Sequence, residues 1–361
     1  MAKREKIEWV STLKVLTMIL VIIGHSGFLT YMTDYGGIYY LPYNAHKSMV
    51  YNLFSWLVSF IYTFHMPIFM SISGMLFSLT LKSGYKNAEI IKGKCKRLII
   101  PFVVVTLLYN TPIMIFSGYM DNTNSLAADI ILGELLLLGN NHLWYVLSLF
   151  WIFLLSIIIE KNGLRNNNLL FWIFLILLSC AGYYLEILSF NILGIATTFR
   201  YLIYFYLGYN FFNRLNNIKV KNPINSLFCV MGMLLIFILR THIKNTPPSL
   251  GLIVSIITAV ILGGLYILCV KGIVSYFTKK SFSIYNYMEK NTYELYLYSC
   301  PINYIILYFA NIYWGDLIFS DNLISLYVII IRIVLQILIS FILIEIIKRT
   351  KIKNCINYFL G

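Results

Sequence analysis

The sequence predicts an all-α, polytopic integral membrane protein that crosses the bilayer about ten times, with both termini in the cytoplasm. Three observations support this prediction: the composition, the apolar windows and the distribution of basic residues. Apolar residues make up 60% of the 361 residues and charged residues only 12%, whereas soluble domains carry about 25% charged residues. A chain of this composition would aggregate in water, so we expect a lipid bilayer to be its solvent.

Ten mainly apolar windows are each long enough to span a bilayer. No long polar linker separates them, which predicts a single membrane domain over residues 1–361. A further apolar piece, Ile130 to Leu138, contains Glu134 and is too short to span, so it is either interfacial or re-entrant. The ten windows lie near residues 9–30, 52–79, 98–118, 142–160, 169–189, 193–212, 224–242, 250–275, 293–313 and 323–347.

The basic residues predict the orientation of these helices. If the N-terminus is cytoplasmic, 22 of the 28 Lys and Arg residues fall in inside segments and only three fall outside, as the positive-inside rule requires. We therefore expect the tails 1–8 and 349–361 to be cytoplasmic. The net charge of +14 then reflects topology. A nucleic-acid partner is not predicted, because the basic residues do not form a stripe with interleaved aromatic residues.

Six scattered cysteines without a C-x-x-C pair predict neither zinc nor a disulfide framework.

Ionisable residues inside apolar windows are the candidates for function, because each is costly in a bilayer and faces the protein interior or water. Lys14 and His25 are eleven residues apart in the first window, so they lie on one helix face about 16 Å apart along the axis. Lys14 either snorkels to the headgroups or contacts an anionic ligand. His25 either makes an interhelical hydrogen bond or exchanges protons. The others are His65, Glu186, Arg200, Glu294, Arg332 and Glu345.

Several phrases together resemble acyltransferase family 3, the bacterial integral-membrane O-acyltransferases. They occur in the order that the family shows and cover residues 7 to 301, and the resemblance implies a ten-helix core in the bacterial cell membrane. The phrases are Ile7-Glu-Trp-Val-Ser-Thr-Leu-Lys14 with Gly24-His25, Phe64-His-Met-Pro-Ile-Phe69 with Ser73-Gly74-Met-Leu-Phe77, Lys96-Arg97-Leu-Ile-Ile-Pro101, His142-Leu-Trp-Tyr-Val-Leu147 and Asn291-Thr-Tyr-Glu-Leu-Tyr296.

The resemblance implies transfer of an acyl group, commonly acetyl from acetyl-CoA, to a hydroxyl of a surface or lipid-linked glycan. This reaction needs a base for the hydroxyl proton, and His25 is our candidate because imidazole titrates near neutrality. His65 either assists His25 or is a packing histidine. No metal is expected.

The donor is polyanionic, so basic residues on the cytoplasmic side are candidates to bind it. Lys14, Lys96 and Arg97 are these candidates, although positive-inside topology alone explains most of the Lys92–Arg97 cluster. Arg200 requires a partner, and a structural ion pair with Glu186 or Glu294 is one explanation. Weaker candidates to support the site or bind substrate are His142, Trp144, Arg200 and Glu294.

This chain departs from the family pattern at three polar positions. Lys14 stands where family members usually carry Arg, which keeps the charge but loses the planar bidentate fork. Ser11 stands where Asp is frequent, and Glu8, one turn earlier, is a substitute acid. Ser299 stands where the late-helix motif commonly ends in His, so we assign that position no catalytic role.

Two other functions fit the same composition. One is a polysaccharide flippase or polymerase-type transporter without acyl transfer, and the other is a membrane sensor or scaffold in which catalysis is lost. Turnover of acetyl-CoA distinguishes both from an acyltransferase.

Overall fold

The computed structural model of the protein describes residues 7–27, 31–38, 46–121, 125–139, 141–165, 167–220, 223–242, 248–277 and 283–349. Residues 1–6 and 350–361, which make up most of the two predicted cytoplasmic tails, lie outside these ranges. The described part of the chain is almost entirely helical, with one short β-hairpin. This confirms the all-α prediction.

Sixteen α-helices follow one another along the described residues. A two-stranded antiparallel hairpin, β1 (Tyr31–Thr33) and β2 (Gly36–Ile38), follows α1, and Tyr31 pairs with Ile38. The helices are α1 (Glu8–His25), α2 (Met49–Tyr62), α3 (His65–Lys82), α4 (Asn87–Lys94), α5 (Ile100–Val105), α6 (Thr111–Phe116), α7 (Leu126–Ala128), α8 (Trp144–Lys161), α9 (Asn168–Ile187), α10 (Ile195–Asn217), α11 (Pro223–His242), α12 (Pro248–Phe277), α13 (Ser283–Lys290), α14 (Thr292–Trp314), α15 (Leu317–Ser320) and α16 (Asn322–Arg349).

Short stretches of other helix types join some of these helices. Three are π-helical, a geometry that is frequent at functional sites, and one is a 3₁₀ turn. Because π-turns connect α4, α5 and α6, residues 87–116 form one continuous helical run. The π-helical stretches are Cys95–Ile99, Thr106–Asn110 and Asp129–Leu135, and the 3₁₀ turn is Ile192–Gly194.

Nine helical segments among the described residues are long and apolar enough to cross a membrane. Each coincides with one of the predicted windows, which confirms a multi-pass membrane protein. The tenth window, 193–212, forms α10, a helix of 23 residues whose hydropathy is lowered by residues such as Thr197, Thr198 and Arg200. The count of ten crossings and the orientation of the chain stay predictions. The nine segments are Glu8–His25, Met49–Lys82, Asn87–Phe116, Trp144–Lys161, Asn168–Ile187, Ile224–His242, Gly251–Ser275, Thr292–Trp314 and Asn322–Arg349.

The chain divides into two compact units. The first unit comprises Met1–Val21, Ser59–Gly84 and Tyr201–Thr292. Glycines let α3 and α10 approach each other closely: a Cβ on Gly74 would lie 1.9 Å from the Phe205 carbonyl oxygen, and one on Gly208 would lie 1.9 Å from that of Ser71. Small residues at such contacts are typical of helix packing in membranes. The Ser71 hydroxyl adds a hydrogen bond to the carbonyl of Tyr204, at 2.9 Å.

The second unit comprises Ile22–Val58, Tyr85–Arg200 and Tyr293–Gly361. Its β-hairpin packs on Tyr119: the amide of Gly37 donates to the Tyr119 carbonyl at 2.7 Å. Gly36 has φ +114°, a left-handed conformation that favours glycine. The predicted short piece near Ile130 to Leu138 is indeed too short to span, because it is the π-helical stretch Asp129–Leu135 followed by bends.

Candidate functional site

A proline lies inside α14, and side chains of the second unit donate to backbone carbonyls near it. Pro301 lies inside α14 and has no backbone N–H, so the carbonyl four residues earlier, that of Leu297, loses its helical donor. The ring of His142 supplies a replacement, with Nε2 3.3 Å from the Leu297 oxygen. The Tyr109 hydroxyl donates to the next carbonyl, that of Tyr298, at 2.9 Å. Side chains therefore satisfy the backbone around the proline.

His142 uses both ring nitrogens for structure. A carbonyl only accepts, so Nε2 carries the proton and Nδ1 accepts from Nδ2 of Asn110, 3.5 Å away. The His142 side chain is buried, and this burial lowers the pKa of its imidazole to about 4. The Tyr296 hydroxyl also donates to the His142 carbonyl. A neutral imidazole with both nitrogens occupied supports α14 near Pro301, so packing alone explains why His142 lies here.

The same helix also contacts the backbone of two other predicted site residues. Near the start of α14, the Tyr293 hydroxyl donates to the carbonyl of Arg97 at 2.7 Å. Ten residues later, Nδ2 of Asn303 lies 3.5 Å from the carbonyl oxygen of His25. A helix rises 1.5 Å per residue, so these two contacts are about 15 Å apart along α14. The Arg97 side chain is exposed, and Lys96 is half-buried.

His25 is the last residue of α1 and is half-buried. Its backbone carbonyl accepts hydrogen bonds from α16 as well as α14, because Nη2 of Arg332 lies 3.0 Å from the same oxygen. The carbonyl of the next residue, Ser26, accepts from Nη1 of Arg332. The end of the first helix, with the predicted base, is therefore fixed by two other helices of its unit.

A second buried polar group lies on the π-helical stretch Asp129–Leu135. The Glu134 side chain is fully buried, and its two carboxyl oxygens have no hydrogen-bond partner among the described residues. Burial, with a smaller contribution from the charge of Asp129, raises the pKa of Glu134 to about 8. Asn141 holds the backbone at this point, donating from Nδ2 to the Glu134 carbonyl at 3.0 Å. Glu134 is therefore protonated at neutral pH.

The first unit contains the other two predicted residues of the catalytic and donor-binding sets. His65 begins α3 and is buried. Its Nδ1 donates to the carbonyl of Ile61 at 2.9 Å, and its ring meets the edge of Tyr62 with centroids 4.6 Å apart. In the neutral ring this leaves Nε2 as the acceptor. Lys14 lies in the middle of α1 and is half-buried.

A cavity of about 250 Å³ also lies in the first unit, between α3, α10 and α12. Its lining is mainly apolar and contains no ionisable carboxyl, imidazole or amine. Tyr204 is the one titratable side chain that the structure places in this lining. Residues of its wall include Pro67, Ile68, Ser71, Met75, Gly208 and Gly263.

The remaining predicted residues lie in the second unit. Arg200 forms an ion pair with Glu186, one of its two expected partners, and its guanidinium lies 5.6 Å from the ring centroid of Tyr183. Glu294 is in the first turn of α14 and is half-buried. Trp144 begins α8 and meets the ring of Tyr145 edge-on, with centroids 6.3 Å apart.

The described residues contain no group of three or more His, Cys, Asp or Glu side chains that could hold a metal ion. Neutral polar groups and single charges make up the cluster around α14 instead. Proton transfer and charge stabilisation are the chemistry that such groups supply.

Sequence reasoning missed several buried polar residues of the second unit. These residues are buried and polar but uncharged: Asn110, Asn141, Asn303 and Gln336. Only ionisable residues inside apolar windows were candidates in the sequence, so these four were not considered. Pro301 did carry a usable signal, since a proline within a helix predicts that an outside donor satisfies the carbonyl four residues earlier. The sequence did not identify His142 as that donor.

The helices and the buried polar cluster are those of a multi-pass membrane protein. A family model described as an acyltransferase domain, acyltransferase 3, matches residues 7–345, which is nearly the whole chain. The chain belongs to this family, and the resemblance predicted from its motifs is confirmed. No curated protein and no solved structure matches the chain. The family supports a membrane acyltransferase.

Proposed function

We propose that this protein transfers an acetyl group from cytoplasmic acetyl-CoA to a hydroxyl of a cell-surface or lipid-linked polysaccharide, in the cell membrane of a bacterium. Membership of the acyltransferase family supports acyl transfer as the reaction. The observation that supports the site is the half-buried His25, whose backbone carbonyl receives hydrogen bonds from α14 and α16.

In the proposed reaction, His25 takes the proton of the acceptor hydroxyl as its oxygen attacks the thioester carbonyl of the donor. The new C–O bond forms a tetrahedral oxyanion, which collapses as the C–S bond breaks. The leaving thiolate takes the proton from the His25 imidazolium, so free CoA and the acetyl ester are the products and the histidine is neutral again. A positioned general base of this kind contributes about 10²- to 10⁴-fold to the rate.

The donor side of the proposal rests on positive charge. The exposed Arg97 is available to a phosphate, and Lys96 and Lys14 are half-buried cations. Along α14, the Arg97 and His25 contacts are about 15 Å apart, a span that suits an extended donor whose charged and reacting ends are far apart. We propose that Arg97 and Lys96, which belong to the same unit as His25, bind the donor. The donor-binding role of Lys14 and the assisting role of His65 stay predictions from the sequence.

The other candidates have supporting parts in this proposal. Trp144 and Glu294, at the starts of α8 and α14, support the walls of the site. His142 and Arg200 stabilise the surrounding helices through the hydrogen bonds and the ion pair described above. A flippase or polymerase-type transporter is the rival, and the family match favours acyl transfer over it.

Turnover of labelled acetyl-CoA by the purified chain in proteoliposomes tests the class of function. We expect label to appear in purified glycan only when protein, donor and glycan are all present. Hydrolysis or transfer equal to that of empty liposomes, over a range of glycan acceptors, would contradict the proposal and favour a transporter. Proton spectra of glycan from cells with and without the gene identify the acceptor, because the acetyl signals should be lost with the gene.

A further inference from the structure

Among the described residues, Arg332 is the largest completely buried side chain, and it lies midway along α16, an apolar helix. A guanidinium inside a membrane helix is costly and is usually retained for a function. Its three nitrogens each donate a hydrogen bond within the second unit. Nε donates to Oδ1 of Asn303 at 3.0 Å, Nη2 to the carbonyl of His25 at 3.0 Å, and Nη1 to that of Ser26.

These contacts cap a helix end. The last carbonyls of a helix have no donor within the helix and form the negative end of its dipole. His25 is the last residue of α1. A cation that binds the carbonyls of His25 and Ser26 therefore supplies the missing hydrogen-bond donors and also neutralises the negative end of the helix dipole. The planar guanidinium presents donors in a fixed fork, which a lysine ammonium does not reproduce.

Neighbouring residues remove the freedom that this end of α1 would otherwise retain. Gln336, one turn after Arg332, donates from Nε2 to the hydroxyl of Ser26 at 2.6 Å and to the Arg332 carbonyl at 3.0 Å. Gly27 packs so closely on Val58 that a Cβ would lie 2.2 Å from a methyl group. These contacts hold the backbone of His25 and Ser26 and therefore the position of the Cα–Cβ bond from which the His25 imidazole extends.

We infer that Arg332 is a positioning residue for His25: it holds the end of α1 so that the imidazole stays in the orientation that proton transfer requires. This inference rests on the proposed function, in which His25 is the base. Positioning matters because a shift of about 1 Å in a reacting group can lower a rate a hundredfold.

The test compares Arg332→Lys and Arg332→Gln in the full chain, purified in lipid nanodiscs. Arg349→Lys is the matched control, because Arg349 lies on the same helix but its side chain is 83% exposed. We expect kcat to fall about tenfold for Lys and a hundredfold for Gln, while the KM for acetyl-CoA changes little and Arg349→Lys matches wild type. A lower kcat at an unchanged KM, with the Lys variant less affected than the Gln variant, indicates positioning. A loss of folded protein would not produce this pattern.

A second readout does not require turnover. The rate at which diethyl pyrocarbonate modifies His25, relative to the exposed His242 of the same molecule, reports the environment of the imidazole. We expect this ratio to change in both Arg332 variants and not in Arg349→Lys. A wild-type kcat in Arg332→Lys, or an unchanged ratio, overturns the inference.

If the Arg332 variants give no folded protein, Asn303→Ala replaces them in the test. This substitution removes the hydrogen bond from Arg332 Nε and one of the donors to the His25 carbonyl. A wild-type kcat in folded Asn303→Ala overturns the inference equally. Failure of the proposed function is recognised separately, because His25→Ala would then keep its activity. The modification ratio would still show whether Arg332 fixes His25.

Discussion

Both compact units contain close glycine contacts and buried polar side chains, but the closest glycine contacts of the described residues lie in the first unit and the polar side chains around α14 lie in the second. In the first unit, α3 and α10 pack through Gly74 and Gly208, where a Cβ would meet backbone atoms. In the second unit, buried polar side chains bond to backbone carbonyls around α14 and at the end of α1. Close glycine contacts give rigidity without chemistry, whereas buried polar groups are costly in a membrane. The second unit contains both the polar side chains around α14 and His25, the proposed base.

Within the second unit, two histidines are held in different ways. His142 is bonded through both ring nitrogens, which explains it as a support of α14 near Pro301. His25 is held through its backbone carbonyl by Asn303 and Arg332. A histidine that supports a helix and a histidine positioned for catalysis should therefore respond differently to substitution.

The largest expected effect on stability concerns Glu134. Burial and Asp129 raise its pKa from 4.5 to about 8, so the folded state binds its proton more tightly than the unfolded state. Stability from this proton is complete below pH 4.5 and is lost as the pH rises towards 8. At 1.36 kcal/mol per pKa unit, the loss reaches about 5 kcal/mol.

Glu134→Gln removes this titration. The melting temperature of the variant, relative to wild type, should therefore rise between pH 5 and pH 8.5. The same substitution at the exposed Glu89 is the control for losing a surface carboxyl. If the difference in melting temperature between Glu134→Gln and wild type does not change with pH, the folded state does not retain the proton.

A smaller effect is expected in the first unit from Gly208→Ala. The new Cβ would lie 1.9 Å from the Ser71 carbonyl oxygen, so α3 and α10 must separate, which costs about 3 kcal/mol. Gly264→Ala is the matched control on α12, since no atom lies within 4 Å of a Cβ built there. Unfolding by SDS titration in mixed micelles measures both. Equal stability of the two variants would contradict close packing at Gly208.

His142→Ala should cost about 2 kcal/mol, because it leaves the buried Leu297 carbonyl without a donor. Activity per folded molecule should stay within a few-fold of wild type, and His142→Gln, which keeps a donor, should recover part of the stability. Kinetics and SDS titration on the same preparation check both statements. Loss of activity at unchanged stability would instead place His142 in the chemistry.

Much of the fold was predictable, because hydropathy depends on local composition. Nine predicted windows coincide with helices, but the window 52–79 is broken at Thr63 and Phe64, just before His65, where hydropathy hardly changes. The site was less predictable. The motifs identified His25 and its family, and Arg332 was recognised as a costly charge. Its contact with His25 joins residues 307 positions apart, and a single sequence contains no signal for such a pairing.

The most direct test of the proposed catalysis is the rate of acetyl transfer by His25→Ala in proteoliposomes, at matched amounts of folded protein. His242→Ala is the control, because His242 is an exposed histidine at the end of α11. If His25 is the general base, its variant should transfer labelled acetyl to glycan at least about a hundredfold more slowly, while the control matches wild type. Transfer at the wild-type rate by His25→Ala would contradict this account.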